Sequence, residues 1–149
     1  MSVYISHQGM FNDGGTPFSL SATGGVAGAD LRVAVGAQAG FAHYGKMAAR
    51  TATQGECQLC DPAEVALGPI VDVSPKGDTC TVETEGYEWV VATLTGVVVG
   101  GLVTPGAGGI VVKIAGATPT AAELLSGVWQ VDTIDTTNNK VLIRVDCRL

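Results

Sequence analysis

Valine and threonine recur along this chain in short runs, and glycine or proline cuts each run within a few positions. Of 149 residues, 20 are Val and 15 are Thr, while 21 Gly and 6 Pro interrupt them. Branching at Cβ restricts χ1 and favours the pleated strand, where the side chain packs against its cross-strand neighbours. Frequent glycines end each strand early and supply turns. The pattern predicts short strands joined by tight turns. It excludes a helical bundle or coiled coil, which needs long uninterrupted helical periods. A chain of this length holds one core and one domain.

Periodicity locates the strands. Leu31, Val33 and Val35 alternate with Arg32 and Ala34, and Gly36 closes that run. Residues 41–47 read as a short extended piece around Gly45, and residues 48–52 carry no clear period. Residues 64–73 form an apolar run in which Pro69 lacks an N–H for the ladder, so the strand bends there or lies at an edge. The turn Ser74-Pro75-Lys76-Gly77-Asp78 makes residues 71–85 a hairpin. In its second strand Cys80, Val82 and Thr84 share the apolar face, an acidic face lies opposite, and Gly86 ends the run. Residues 89–103 are the most apolar stretch and read as two short buried strands split by glycines, followed by a strand at 110–115. One short helix is expected at 119–126, with Thr118 as its N-cap, Pro119 at its first position and Gly127 past its end. Residues 128–134 and 141–147 form a C-terminal hairpin, with Val141, Ile143, Val145 and Cys147 on one face. The expected fold is mainly β: a small barrel- or sandwich-like body of seven or eight short strands with one short helix.

The first 28 residues differ from the rest. Gly9, Gly14, Gly15, Gly24, Gly25 and Gly28 are interspersed with Tyr4, Ile5, Met10, Phe11, Phe18 and Leu20. A flexible linker would lack such apolar anchors. Residues 1–28 read either as an extended N-terminal arm that lays side chains on a neighbour, or as a segment packed on its own domain at 29–149.

Charge narrows the function. Eight basic against 14 acidic residues give a net charge of −6. No basic cluster is present, which argues against a nucleic-acid partner. The acidity is concentrated in residues 56–88, which carry one basic and eight acidic groups. That segment reads as a solvated face or as a patch for a basic partner. The start, Met1-Ser2-Val3-Tyr4, has neither the basic nor the apolar region of a secretory signal. Residues 89–103 are too short, and too interrupted by glycine, for a membrane span of about 20 apolar residues. Synthesis in the cytoplasm and no membrane partner are expected.

Catalytic and metal-binding patterns are sparse. Cys57-Gln58-Leu59-Cys60 has the spacing of half a zinc site or of a redox pair. Neither a second such pair nor a nearby histidine completes it, since His7 and His43 lie upstream. Cys57, Cys60, Cys80 and Cys147 are therefore expected to be reduced structural thiols, with no metal and no cofactor. Glu83 and Glu85 could sit about 7 Å apart on one strand face, and Asp132 and Asp135 form a second acidic pair. Without an aromatic-lined cleft these do not make a hydrolase site. No nucleophile elbow or phosphate-binding loop is present, and no enzymatic activity is expected. With hydrophobic residues at 46%, charged residues at 15% and a mean hydropathy of +0.33, the composition suits a protein that works through contact area.

Residues 63–149 resemble the capsid cement, or decoration, proteins of tailed bacteriophages. The resemblance lies in Gly68-Pro69-Ile70-Val71-Asp72-Val73, the acidic strand after it, and Gly86-Tyr87-Glu88-Trp89-Val90-Val91-Ala92. It continues through Gly96-Val97-Val98-Val99-Gly100-Gly101-Leu102-Val103 and Gly127-Val128-Trp129 to the terminal Val145-Asp146-Cys147-Arg148-Leu149. The resemblance implies a compact β body that trimerises on the outer capsid surface and bridges major capsid protein subunits. Such proteins often carry an extended N-terminal arm, and in residues 1–28 the hypothesised capsid-binding anchors are Tyr4, Ile5, Phe11 and Phe18. Deleting residues 1–20 is then expected to abolish shell binding and leave the body folded. The alternatives are another phage structural component, such as a tail or head-fibre base, or a small metal-binding enzyme using Cys57 and Cys60.

Overall fold

The computed structural model describes residues 15–20, 43–52, 56–73 and 79–146, with the backbone alone for 15–20, 56, 73 and 79. Five strands make a first sheet: β1 (Gly15–Leu20), β2 (Met47–Arg50), β3 (Glu56–Leu59), β4 (Ala66–Val73) and β5 (Thr79–Glu83). They pair in the order β1-β3-β2-β4-β5, and β1 also pairs with β5, so the sheet closes on itself as a small ring. Five more strands make an open second sheet: β6 (Glu85–Val91), β7 (Leu102–Pro105), β8 (Val111–Lys113), β9 (Trp129–Asp135) and β10 (Lys140–Asp146). Their order is β6-β10-β9-β7-β8. The helix, α1 (Ala121–Ser126), links β8 to β9. The mainly β, sandwich-like body expected from the sequence is the fold, with ten strands among the described residues.

Strand alternation divides the interior in two. Ala48, Cys57, Leu67, Ile70, Cys80 and Val82 cluster within the ring. Met47, Ala49, Cys60 and Ala66 point the other way and join Val90, Val103, Val111, Trp129, Val131, Val141, Ile143 and Val145 in the larger core. β2 is thus buried on both faces, and its Met-Ala-Ala sequence shows no polar alternation because its first three residues meet no solvent. β5 is also buried on both sides, so Thr81 and Glu83 on its supposedly acidic face are enclosed.

Gly45 joins the two sheets. Its N–H donates to the Ile70 carbonyl of β4 at 2.8 Å, and its carbonyl accepts from the Val91 N–H of β6 at 2.9 Å. The extended piece expected at 41–47 is therefore a turn at 43–45, and the strand begins at Met47. Pro69 does not put β4 at an edge, because β4 lies between β2 and β5. The strand bends instead, with register shifts at Ala48/Ala49 opposite it in β2 and at Ile70/Asp72 on its β5 side.

Several expectations require correction. Gly86 does not end a strand: it lies within β6, opposite Val145. Residues 93–101 are not buried strands. Val98 and Val99 are exposed, in a loop with turns at 95–96 and 99–100. Two bonds hold this loop on β9, from the Gly100 N–H to the Val131 carbonyl at 2.7 Å and from the Val131 N–H to the Gly101 carbonyl at 2.9 Å. The cap of α1 is Thr120, not Thr118. Its hydroxyl accepts from the Glu123 N–H, while the Glu123 carboxylate accepts from the Thr120 N–H. This reciprocal pair satisfies two donors that the start of a helix otherwise leaves open.

The C-terminal hairpin is as expected up to Asp146, with Val141, Ile143 and Val145 fully buried and Arg144 and Asp146 exposed. The strand at 31–35, the turn at 74–78 and Cys147 lie outside the described residues. Of residues 1–28, only 15–20 are described. There the chain is β1, whose backbone pairs Phe18 with Cys80 and Leu20 with Cys57.

Candidate functional site

The C-x-x-C motif does not gather its two sulfurs. Cys57 and Cys60 are three positions apart, and the odd spacing sends the side chains to opposite faces. Cys57 lies in the ring cluster and Cys60 in the larger core. The Cys60 thiol donates towards the carbonyls of Asp61 and Glu64, at 3.5 and 3.7 Å. Cys57 meets Cys80 instead, sulfur to sulfur at 3.5 Å, and the three described cysteines form no disulfide. Hydrogen bonding with Cys57, then burial, pushes the Cys80 thiol well above its ordinary pKa. No group of three or more His, Cys, Asp or Glu side chains among the described residues could hold a metal ion. His43 is buried, and His7 lies outside the described residues.

The acidic pairs are equally dispersed. Glu83 is buried in β5 and Glu85 is exposed at the start of β6, so they do not share a face. Asp132 accepts from the Thr133 hydroxyl. Asp135 closes the β9–β10 turn by accepting from the Asn138 side chain and from the Asn138 and Thr137 N–H groups. These bonds, that of the Asn138 side chain first, hold its carboxyl below the usual range. Within residues 56–88 the acids organise loops. Glu64 accepts from Gln58 at 2.7 Å and from the Asp61 N–H at 2.8 Å. Asp61 accepts from the Gly108 N–H, and Asp72 from the Tyr44 hydroxyl. Among its described residues, the segment is therefore neither a uniformly solvated face nor one open acidic patch.

What the structure does present is apolar contact surface. On β6 the outward residues are Glu85, Tyr87 and Trp89, and Tyr87 is 62% exposed. Register places Arg144 beside Tyr87, Leu142 beside Trp89 and Asp146 beside Glu85. Val98 and Val99 project from the loop pinned to β9, the latter 65% exposed. Leu124 and Leu125 project from α1, where Leu125 is 72% exposed. Ser126 fixes the end of this helix by donating its hydroxyl to the Glu64 carbonyl, and Val65, next in the chain, is also exposed.

Tyr87, Trp89, Val98 and Val99 entered the sequence reading only as part of the resemblance, and Val65, Leu124 and Leu125 were not singled out. The alternation Glu85, Tyr87, Trp89 against Val90 could have marked the outward face of β6, but nothing local distinguishes Val98 or Leu125 from a core residue. Of the proposed anchors, Tyr4, Ile5 and Phe11 lie outside the described residues, and the Phe18 backbone belongs to the ring. The chain matches no protein-family model and no curated protein.

Proposed function

We propose that this chain is a structural virion protein that binds the outside of a bacteriophage capsid as a homo-oligomer of three copies and stabilises it by bridging major capsid protein subunits. The observation that carries this reading is the set of large apolar side chains held outward on rigid supports. Tyr87 and Trp89 stand on a sheet, Val98 and Val99 on a loop bonded to that sheet, and Leu124 and Leu125 on a doubly capped helix. Exposed apolar side chains that lie together form contact sites. Groups already fixed in place lose little further freedom on binding. Contacts on separate elements suit a protein that touches more than one neighbour, where each added contact raises the effective concentration of the next.

The arm enters this reading in a shortened form. Deleting residues 1–20 removes β1 and opens the ring, so it tests folding as well as binding. Deleting residues 1–14 keeps β1 and removes Tyr4, Ile5 and Phe11. The full chain, mixed with purified tailed-phage heads from the source culture that lack it, is expected to sediment with them. The 1–14 deletion is expected to remain folded and to stay in the supernatant. Failure of the full chain to sediment with these heads refutes the reading.

A further inference from the structure

Cys57 and Cys80 sit on β3 and β5, the two strands between which β1 is inserted. Both side chains point into the ring and are almost wholly buried, and their sulfurs are 3.5 Å apart. We propose that these two residues form an intramolecular disulfide under oxidising conditions, a covalent strut across the inside of the ring. A disulfide needs its sulfurs at about 2.05 Å, so they must close by roughly 1.5 Å, and because β1 lies between β3 and β5 the two backbones must also draw together. The motif neighbour Cys60 is not the partner, because its thiol faces the other core and is engaged by the Asp61 and Glu64 carbonyls.

The oxidant is a low-molecular-weight disulfide such as oxidised glutathione. The Cys57 sulfur, once deprotonated, attacks one glutathione sulfur, breaks the glutathione disulfide and releases one glutathione thiolate. The Cys80 sulfur then loses its proton, attacks Cys57 in the mixed disulfide and expels the second glutathione. Two protein thiols lose two electrons and two protons, and one oxidised glutathione becomes two reduced molecules. Thiolate is the attacking form, and Cys80 resists ionisation in the folded ring. The link therefore forms slowly in the folded protein and readily while the chain folds. Once enclosed, it is shielded from reductant by the same burial.

The consequence is a ring that no longer depends on β1 for closure. The cross-link joins residues 23 apart in sequence, a loop length for which the chain-entropy relation gives a rise in Tm of about 10 °C at this chain size.

The full-length chain should be refolded from urea in a glutathione redox buffer, its remaining thiols alkylated, and the unreduced protein digested with trypsin. The expected product joins peptide 51–76 to peptide 77–113, with fragment ions assigning the bond to Cys57. It should persist in Cys60→Ala, be absent from Cys57→Ala and Cys80→Ala, and raise the Tm by the stated amount over the reduced protein. Fragment ions assign the bond in the unsubstituted chain even where a variant fails to fold. A bond from Cys60 or Cys147, or four thiols still free to alkylate after oxidative refolding, overturns the proposal.

Discussion

Replacing Gly45 by alanine tests how the two sheets are joined. The residue has φ of +80°, where an L side chain is strained, and an added Cβ would stand 2.9 Å from the Trp89 carbonyl oxygen and 3.4 Å from the Val91 nitrogen. Left-handed backbone costs an alanine about 1 kcal/mol. Relieving the close approach moves the turn by a few tenths of an ångström, which lengthens the Ile70 and Val91 hydrogen bonds, each worth about 1 kcal/mol net. Gly45→Ala should therefore lose about 2–4 kcal/mol, seen as a lower midpoint in urea unfolding at an unchanged slope. Gly108→Ala is the control. That residue also has positive φ, at +65°, but its added Cβ meets no atom within 4 Å. Only the backbone strain remains, about 1 kcal/mol. If Gly45→Ala is no less stable than Gly108→Ala, the tight joint between β4 and β6 is not what holds the sheets together.

Three further outcomes follow from the same geometry. Thr120→Ala removes the α1 cap and should cost about 1 kcal/mol in urea unfolding, with no loss of the β signal in circular dichroism. The Glu123 carboxyl is held below its ordinary value by the N–H groups of Thr120 and Ala115, and that of Asp135 chiefly by the Asn138 side chain. Lowered carboxyls contribute stability above their unfolded values that is lost as pH falls through the folded ones. Thermal melts should thus stay level from pH 7 to about 5 and decline below about pH 4, less steeply for Glu123→Gln and Asp135→Asn. Finally, Val98→Ser and Leu125→Ser should leave the monomer's stability within about 0.5 kcal/mol, because neither side chain is buried.

The C-terminal hairpin was legible because one face of β10 meets solvent and the other does not, so Val141, Ile143 and Val145 alternate with half-buried or exposed residues. β2 was not, because burial on both faces erases alternation. Residues 93–101 misled for the opposite reason. Valines signal burial only when the backbone runs straight, and here the turns direct Val98 and Val99 outward. β1 was hidden because its partners, β3 and β5, lie far along the chain, and no local pattern in Gly-Thr-Pro-Phe-Ser-Leu reports a long-range pairing. The same ring closure brings Cys57 to Cys80, whereas sequence spacing pointed to Cys60. Short-range periodicity encodes which face of a strand is wet; it does not encode which strands meet.

The central claim is that the outward apolar groups grip a viral shell. Its most direct test is electron microscopy of purified tailed-phage particles from the source culture, labelled with gold-conjugated antibody to this chain. Gold on regularly spaced protrusions of the outer head is the predicted result, and the protrusions should be lost when Tyr87, Val98, Val99, Leu124 and Leu125 are all changed to serine. Label confined to tails, or heads that never carry the chain, contradicts it.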